Sequence, residues 1–262
     1  MFQPLSWSGI YVVLLRELKR YWRAKARIIS SVAQSFFFLA IFGLGLGGLI
    51  DGVGEVTYLS YLAPGIIGMG LLFGSVFSGV SVIFDRQFGF MKEMLVAPVS
   101  RTSIILGKIL GGALTASIQG VLLMLVAGIM GAFTLTLAFA MGGVAAIGVM
   151  LLIASGLVGL GVSLGSALND FHAFQLLSTF VIWPLFMLSG VFFPIDSVPL
   201  PLQVAMLIDP MFYGVELLRW CLLGAGTPLL GPFGWLLSLG VLIVFDTLMV
   251  SVGAYLFSRV QV

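Results

Sequence analysis

Six segments of this 262-residue sequence are long apolar runs with few or no charged residues. A helix that crosses the hydrocarbon core of a bilayer needs about 20 such residues. Only 8% of the residues are Asp, Glu, Lys or Arg, whereas soluble domains carry roughly 25%. The sequence therefore predicts an all-α integral membrane protein with six transmembrane helices, at 28–50, 61–84, 102–129, 139–168, 174–193 and 233–257.

The composition argues against site chemistry on this chain. Cys221 is the single cysteine and His172 the single histidine, so we expect no disulfide framework and no metal site. An intramembrane enzyme would need a clustered nucleophile and base, and His172 lies in a short polar turn without such partners. We therefore expect no catalytic residue and no cofactor here, and no basic face for nucleic acid.

The basic residues predict the topology. The first apolar stretch, 10–15, is short and its basic residues follow it, so we expect no cleavable signal peptide. Eleven of the twelve Lys and Arg residues fall on one side of the predicted spans: Arg16, Lys19, Arg20, Arg23, Lys25, Arg27, Arg86, Lys92, Arg101, Lys108 and Arg259. Cytoplasmic segments carry such an excess. We therefore expect a multi-pass protein of a prokaryotic inner (cytoplasmic) membrane with both termini in the cytosol.

These predictions give one transmembrane domain over residues 1–262. It comprises a cytosolic or interfacial helix at 1–27, the six-span bundle at 28–257 and a cytosolic tail at 258–262. In the first of these parts, apolar residues recur at helical spacing on one side: Tyr11, Leu14, Leu15, Leu18 and Trp22. The other side is basic, with Arg16, Lys19, Arg20, Arg23 and Arg27. This pattern indicates an amphipathic helix lying on the inner leaflet.

The connection between the fifth and sixth spans is apolar but divided by prolines. Proline ends a helix, and the resulting pieces are too short to span a bilayer. We expect two short external helices here, at 201–207 and 212–223, dipping into the outer leaflet beside a translocation exit. Glu216 and Arg219, three residues apart on the second, are expected to neutralise each other.

Asp246 lies near the middle of the sixth predicted span, where a carboxylate is costly and therefore suggests a function. Together with Glu216 and Arg219 it is a candidate pathway residue. It also supports an alternative function, an ion-coupled secondary transporter. Such transporters have inverted repeats with helices broken at mid-membrane, and the only interruptions visible here lie in the external connection.

The stretch between the second and third spans concentrates charge in an otherwise apolar chain. Phe84, Phe88, Met91 and Leu95 repeat at helical spacing. Arg86, Lys92 and Glu93 stay polar and Pro98 ends the segment. The pattern predicts a short amphipathic cytosolic helix whose exposed Phe and Met side chains suit a protein partner.

This segment carries a recognisable motif: Asp85-Arg86-x-x-Gly89-x-x-x-Glu93-x-Leu95-x-x-Pro98-x-Ser100-Arg101, followed by Leu106-Gly107-Lys108. Further matching elements follow in order: Leu62-Ala63-Pro64-Gly65, Ser189-Gly190, Phe193-Pro194, Asp209-Pro210, Tyr213-Gly214-Val215 and Leu218-Arg219. As a set they resemble the type 2 ATP-binding-cassette (ABC) exporter permeases, the group that includes daunorubicin-resistance and nodulation-factor exporters. The resemblance covers nearly the whole chain. Gln87 departs from it, because many members carry an acid at this position.

The resemblance implies a half-transporter. A permease dimer, of two copies or of this chain and a paralogue, would be driven by two copies of a separate ABC ATPase that holds ATP and Mg. The segment between spans 2 and 3 would be the coupling helix, with its contacts made by Arg86, Phe88, Gly89, Met91, Glu93, Pro98 and Arg101. The N-terminal helix would be an interfacial gate helix, bearing Arg16, Lys19, Arg20 and Arg23. The cargo would be an amphipathic drug, a lipid or a lipid-linked saccharide moved outward. Gly107-Lys108 lacks the first glycine and the Ser or Thr of a Walker loop, so we expect no nucleotide site on this chain.

Overall fold

The computed structural model describes residues 6–45, 47, 56–91, 99–134, 136–224, 230, 231 and 233–259. All regular elements in these ranges are helical, as the sequence predicts. In chain order they are α1 (Trp7–Arg23), α2 (Lys25–Phe38) with a π-helical turn (Leu39–Leu44), α3 (Tyr58–Ser78), α4 (Val80–Gln87), α5 (Arg101–Ile129), α6 (Leu137–Ala167), α7 (Phe171–Leu188), a 3-10 turn (Ile195–Ser197), α8 (Leu200–Ile208), α9 (Pro210–Leu223) and α10 (Gly234–Ser258).

Five of these helical stretches are long and apolar enough to cross a membrane. They are Tyr58–Gln87, Arg101–Ile129, Phe139–Ala167, Phe171–Leu188 and Gly234–Ser258. A sixth is reached if Trp7–Arg23 and Ile28–Leu44, which meet at a bend of 69°, are counted as one. The described residues therefore hold five or six apolar spans, in agreement with the prediction of six.

The bundle packs around α6, which contacts α3, α5, α9 and α10. Glycines allow the closest of these approaches. A Cβ on Gly161 would overlap the Val76 carbonyl oxygen of α3, and a Cβ on Gly79 would overlap the Gly161 backbone. Small residues at such positions let helix backbones come together in lipid, where dispersion contacts stabilise packing.

Charged side chains gather at one end of the bundle, which we call the basic end. Arg101 at the start of α5 donates to the Ser258 carbonyl oxygen at the end of α10, at 2.5 Å. The Ser6 amide, just before α1, donates to Ser103 Oγ at 3.0 Å. The first and last described residues of the chain therefore lie at the same end, as an even number of spans requires.

Helix α1 presents three different faces rather than the two that its sequence pattern predicts. Gly9, Ile10, Val13 and Glu17 are buried, and Val13 and Glu17 lie against Gly107 and Gly111 of α5. Tyr11 and Trp22, on the predicted apolar face, are 60% and 68% exposed. Helix α1 therefore has a buried face that packs on the bundle, which its sequence pattern does not predict, while Tyr11 and Trp22 remain exposed.

The two short helices predicted between the last spans are present as α8 and α9. Helix α9 is more deeply placed than a peripheral helix, because its residues from Met211 to Arg219 are all buried against α3, α6 and α10. Asp209 caps α9, and its Oδ1 accepts a hydrogen bond from the Met211 amide at 2.9 Å. Gly224, in the left-handed conformation with φ of 71°, ends the helix.

Candidate functional site

The segment that follows α4 turns sharply. Helix α4 ends at Gln87, and Gly89 adopts a left-handed backbone conformation with φ of 79°, which favours glycine. The next helical residues, Phe90 and Met91, therefore start in a new direction. Glu93 and Pro98, two of the predicted coupling residues, lie outside the described residues.

The structure differs from the prediction of which side chains after α4 are exposed. Met91 is 1% exposed and packs in an apolar cluster with Val82, Ile104 and Phe257. The expectation that Met91 faces a partner is therefore wrong, because the left-handed turn at Gly89 breaks the helical period that placed Met91 beside Phe88. Phe88, by contrast, is 70% exposed and Phe90 46% exposed. The rings of Phe88 and Phe90 are therefore accessible to a partner at the basic end.

Arg86 is engaged within the chain. Its guanidinium donates to the carbonyl oxygens of Leu168 and Ser166, at 3.3 and 3.2 Å, and to Asn169 Oδ1. Ser166 lies in the last turn of α6, and Leu168 and Asn169 lie in the connection between α6 and α7. Arg86 therefore ties the end of α4 to that connection, while Arg101 ties α5 to α10. Both predicted coupling arginines hold elements of the basic end together.

A buried charge network joins α1, α4 and α5. Asp85 accepts from Arg16 at 2.7 Å and from Lys108 Nζ. Lys108, which is 2% exposed, lies 3.7 Å from Glu17 Oε1 and donates to Ser81 Oγ at 3.2 Å. The network is completed by Arg20, which pairs with Glu17 at 2.5 Å. Three cations and two carboxylates thus leave one surplus positive charge.

Sequence reasoning missed this network. The charge count includes Lys108 among the basic residues of the cytosolic side, yet Lys108 stands seven residues inside α5, about 10 Å along the helix. A base or acid at such a depth is expensive unless it is paired. The depth of Lys108 in α5 and the presence of Asp85 at the end of the preceding span are the features of the sequence that indicate a buried ion pair.

The four predicted gate-helix residues divide into two pairs. Arg16 and Arg20 take part in the charge network, and the Arg16 guanidinium also lies 5.3 Å from the centre of the Phe90 ring. Lys19 and Arg23 are exposed on the same helix. Helix α1 therefore contacts the segment after α4 directly through Arg16.

Glu216 and Arg219 form the ion pair that the sequence predicts, at 2.6 Å. Arg219 is 2% exposed, donates to the Gly190 carbonyl oxygen at 2.6 Å and lies 3.9 Å from the centre of the Tyr61 ring. Tyr61 Oη also donates to Gly190 O, at 3.0 Å. The pair thus fastens α9 to the start of α3 and the end of α7, at the end of the bundle opposite the basic end.

Asp246 lies on α10 and contacts α6. Its Oδ1 accepts a hydrogen bond from Ser155 Oγ at 2.5 Å. A Cβ on the neighbouring Gly156 would lie 3.2 Å from the Asp246 Cα, so the two helices are close at this point. The contact gives Asp246 a role in helix packing inside the bundle.

These features define a helical, multi-pass membrane protein whose charged contacts are concentrated at the two ends of its bundle. Residues 8–223 match the model of the family described as ABC-2 type transporter, and the chain belongs to that family. It is therefore a transport-permease membrane subunit, as the sequence motif indicated.

Several relatives cover most of the chain. Nodulation protein J of Rhizobium leguminosarum bv. trifolii is 28% identical over 205 residues, which are 77% of this chain and 76% of that protein. The inner membrane transport permease YadH of Escherichia coli (strain K12) is 26% identical over 92% of this chain and 91% of its own length. The putative transport permease ycf38 of Porphyra purpurea is 27% identical over 96% of this chain and 88% of its own.

Proposed function

We propose that this permease works as an exporter driven by a separate ABC ATPase bound at the basic end. The observation that carries the proposal is the exposed pair Phe88 and Phe90 beside the charge network. Exposed aromatic side chains next to mixed charge are typical of protein interfaces. Members of the ABC-2 permease family normally work with an ABC ATPase, which supports the assignment of the partner.

On this proposal, the energy that drives transport comes from ATP bound outside this chain. Gly107 and Lys108, which faintly resemble a Walker loop, are interior residues of α5, and Lys108 is occupied by carboxylates. In the proposed transporter, two ATPase copies hold ATP and Mg and drive two permease chains, either two copies of this one or this chain with a paralogue. The cargo pathway lies between the two permease chains.

The proposed orientation places the basic end in the cytosol. The positive-inside rule favours this orientation, because Arg16, Arg86, Arg101 and Lys108 lie at that end. The name of the relative YadH, an inner membrane transport permease, supports an inner-membrane location. An amphipathic drug, a lipid or a lipid-linked saccharide would then leave toward the outer leaflet, past α8 and α9.

The energy would be transmitted through the residues around Phe88. A push on this segment acts on Asp85 at the end of α4, and Asp85 is bound both by Arg16 of α1 and by Lys108 of α5. Three elements would therefore move together when the ATPase closes. Arg86 would carry the same displacement to the connection between α6 and α7.

The test is recovery of the ATPase with the tagged permease from its native membranes. Phe88→Ser should lower the amount of ATPase recovered, because it removes an exposed anchor. Phe233→Ser is the matched control: Phe233 is 71% exposed, close to the 70% of Phe88, and precedes α10 at the other end of the bundle. Glu93→Lys tests the remaining part of the predicted coupling segment in the same assay.

Equal recovery of the ATPase with Phe88→Ser and with Phe233→Ser would refute the proposed contact. A permease recovered without any ATPase, and moving solute in ATP-free vesicles under an ion gradient, would refute the exporter proposal itself. That second result would favour the ion-coupled alternative that involves Asp246.

A further inference from the structure

The exposed surface of α1 divides into an aromatic stripe and a basic stripe. The aromatic stripe consists of Trp7, Tyr11 and Trp22, which are all exposed and share one side of the helix. The basic stripe lies beside it along an open groove of about 590 Å³, whose lining residues are Val12, Leu15, Arg16, Lys19, Arg20 and Arg23. With 3.6 residues per turn, the aromatic, basic and buried faces of α1 point in directions about 120° apart. The three faces are therefore separate surfaces.

Three separate faces suit a helix that lies in the membrane interface and packs sideways on a bundle. Such a helix places one face on protein, a second among the acyl chains and a third among the lipid headgroups. Trp and Tyr side chains concentrate where acyl chains meet headgroups, so we expect the aromatic stripe at that boundary. Helix α1 is followed directly by α2, which leads into the first apolar span. The basic stripe is therefore expected among the headgroups, close to where the chain enters the bilayer.

Two cations of the basic stripe have no carboxylate partner in the part of the chain that the structure describes. The stripe's other two bases pair with carboxylates of the charge network. Lys19 and Arg23 are exposed and take part in none of the ion pairs found among the described residues. Glu17, the only carboxylate of α1, lies on its buried face. Lys19 and Arg23 therefore give the groove an uncompensated positive charge.

We propose that the basic stripe binds an anionic phospholipid of the inner leaflet, with the lipid phosphate between Lys19 and Arg23. These two residues are four apart on one helix, so their side chains are neighbours that can contact the same phosphate. Leu15 and Trp22 flank Lys19 at spacings of four and three residues, and the acyl chains would lie over them. The site thus combines a cationic part for the headgroup with an apolar part for the chains.

The position of the two bases favours lipid over the ATPase as the occupant. Arg16 belongs to the same stripe and contacts Phe90, which we place at the ATPase contact. Lys19 and Arg23 lie about 4 and 10 Å farther along α1, toward α2 and the bilayer. The aromatic stripe beside them also suits acyl chains better than the surface of a soluble subunit. The lipid site does not depend on the exporter function proposed above.

The experiment uses Trp22 as the reporter, because it is adjacent to both bases. The purified chain is placed in phosphatidylcholine nanodiscs without ATPase, with increasing proportions of either phosphatidylglycerol or phosphatidylcholine that carries brominated acyl chains. Bromine quenches tryptophan fluorescence on contact, and subtracting the signal of Trp22→Phe isolates Trp22 among the five tryptophans. Half-maximal quenching should need about fivefold less phosphatidylglycerol than phosphatidylcholine, the effect of about 1 kcal/mol from one unpaired base. Raising the salt concentration should reduce this preference.

Variants of the two bases locate the site. Lys19→Gln combined with Arg23→Gln should make the two lipids equally effective, whereas Lys19→Arg combined with Arg23→Lys should keep the preference. Arg23→Gln alone should weaken it. Arg259→Gln is the matched control for that single variant, because Arg259 is also exposed at the basic end and its replacement changes the net charge equally.

Val12→Glu tests the groove without removing a base. Val12 is 64% exposed, so the new carboxylate should not disturb packing, but it should repel an anionic lipid and lower the preference. This variant also tests the site if the double Gln variant fails to fold in a thermal-unfolding control.

Equal quenching of Trp22 by the two lipids in the unmodified chain would overturn the proposal. So would a preference that persists in the double Gln variant, or one that Arg259→Gln weakens as much as Arg23→Gln does. If the double Gln variant instead lowers recovery of the ATPase while the lipid preference is unchanged, the basic stripe is an ATPase contact and the lipid site is wrong. That result would leave the exporter proposal standing, so the two proposals fail separately.

Discussion

Replacement of Asp85 by Asn is the sharpest test of the buried charge network. Asn has nearly the shape of Asp but no negative charge, so Lys108 keeps only Glu17, at 3.7 Å, as an opposite charge. Lys108 is 1% exposed at its side chain, so water cannot replace the lost carboxylate. Removing one partner of a buried ion pair costs about 3–5 kcal/mol. The lower end of that range applies, because Glu17 remains near Lys108 and Arg16, at 37% exposure, is partly hydrated.

A loss of about 3 kcal/mol should lower the thermal unfolding midpoint by roughly 6–12 °C, taking about 2–4 °C per kcal/mol for a chain of this size. The midpoint is followed by tryptophan fluorescence of the purified chain in mild detergent. Asp196→Asn is the matched control, because Asp196 is exposed and its replacement changes the net charge equally. We expect the control to stay within about 1 °C of the parent.

The double variant Asp85→Asn with Lys108→Met identifies the cause. Lys108→Met removes the cation that Asp85→Asn leaves buried, so the double variant should regain part of the lost stability. A double variant less stable than either single one would show that the two side chains contribute independently. An Asp85→Asn midpoint equal to that of Asp196→Asn would show that burial of the network is not what stabilises this end.

Burial raises the pKa of Asp209 from 3.8 to about 7, and the hydrogen bond from the Met211 amide partly offsets this rise. Between these two pH values the native state keeps a proton that the unfolded chain releases. The free energy of unfolding should therefore fall from about pH 4 to pH 7. Asp209→Asn should flatten this slope in urea unfolding at several pH values. Gly161→Ala should lower the free energy of unfolding by about 1–3 kcal/mol, because the added methyl group overlaps α3, and should therefore lower the thermal unfolding midpoint. Gly148→Ala, at an open position, should leave that midpoint unchanged. Ser155→Ala should cost about 0.6 kcal/mol in the same thermal assay by removing the hydrogen bond to Asp246.

The spans could be predicted from the sequence because they depend on local properties. Length and hydropathy suffice to recognise a membrane helix, and prolines mark the starts of α8 and α9 within two residues. The Glu216–Arg219 pair could also be predicted, because residues three apart on a helix lie side by side. Its contacts with Gly190 and Tyr61 could not, since they join residues far apart in the chain.

The errors arose where packing overrides a local pattern. Helical spacing placed Met91 beside Phe88, but the left-handed turn at Gly89 separates them. Charge counting groups Lys108 with the other basic residues of the cytosolic side, but it does not predict that Glu17 of α1 and Asp85 of α4 surround it. Both differences concern the basic end, where α1, α4 and α5 meet and no local window of sequence contains all the partners.

Asp85 links the turn at Gly89 to both α1 and α5. It stands four residues before Gly89, on the helix that leads into the turn, and it binds cations from α1 and from α5. A displacement of the turn therefore cannot move α4 alone without breaking a buried pair, at about 3–5 kcal/mol. Moving α1 and α5 with it preserves the pairs. Since α1 and α5 also line a cavity of about 210 Å³ with α3 and α4, a force applied at Phe88 should alter that cavity as well. On the exporter proposal, ATPase closure and the shape of this cavity would thus be coupled through one carboxylate, and Asp85→Asn should weaken that coupling while leaving Phe88 free to bind the ATPase.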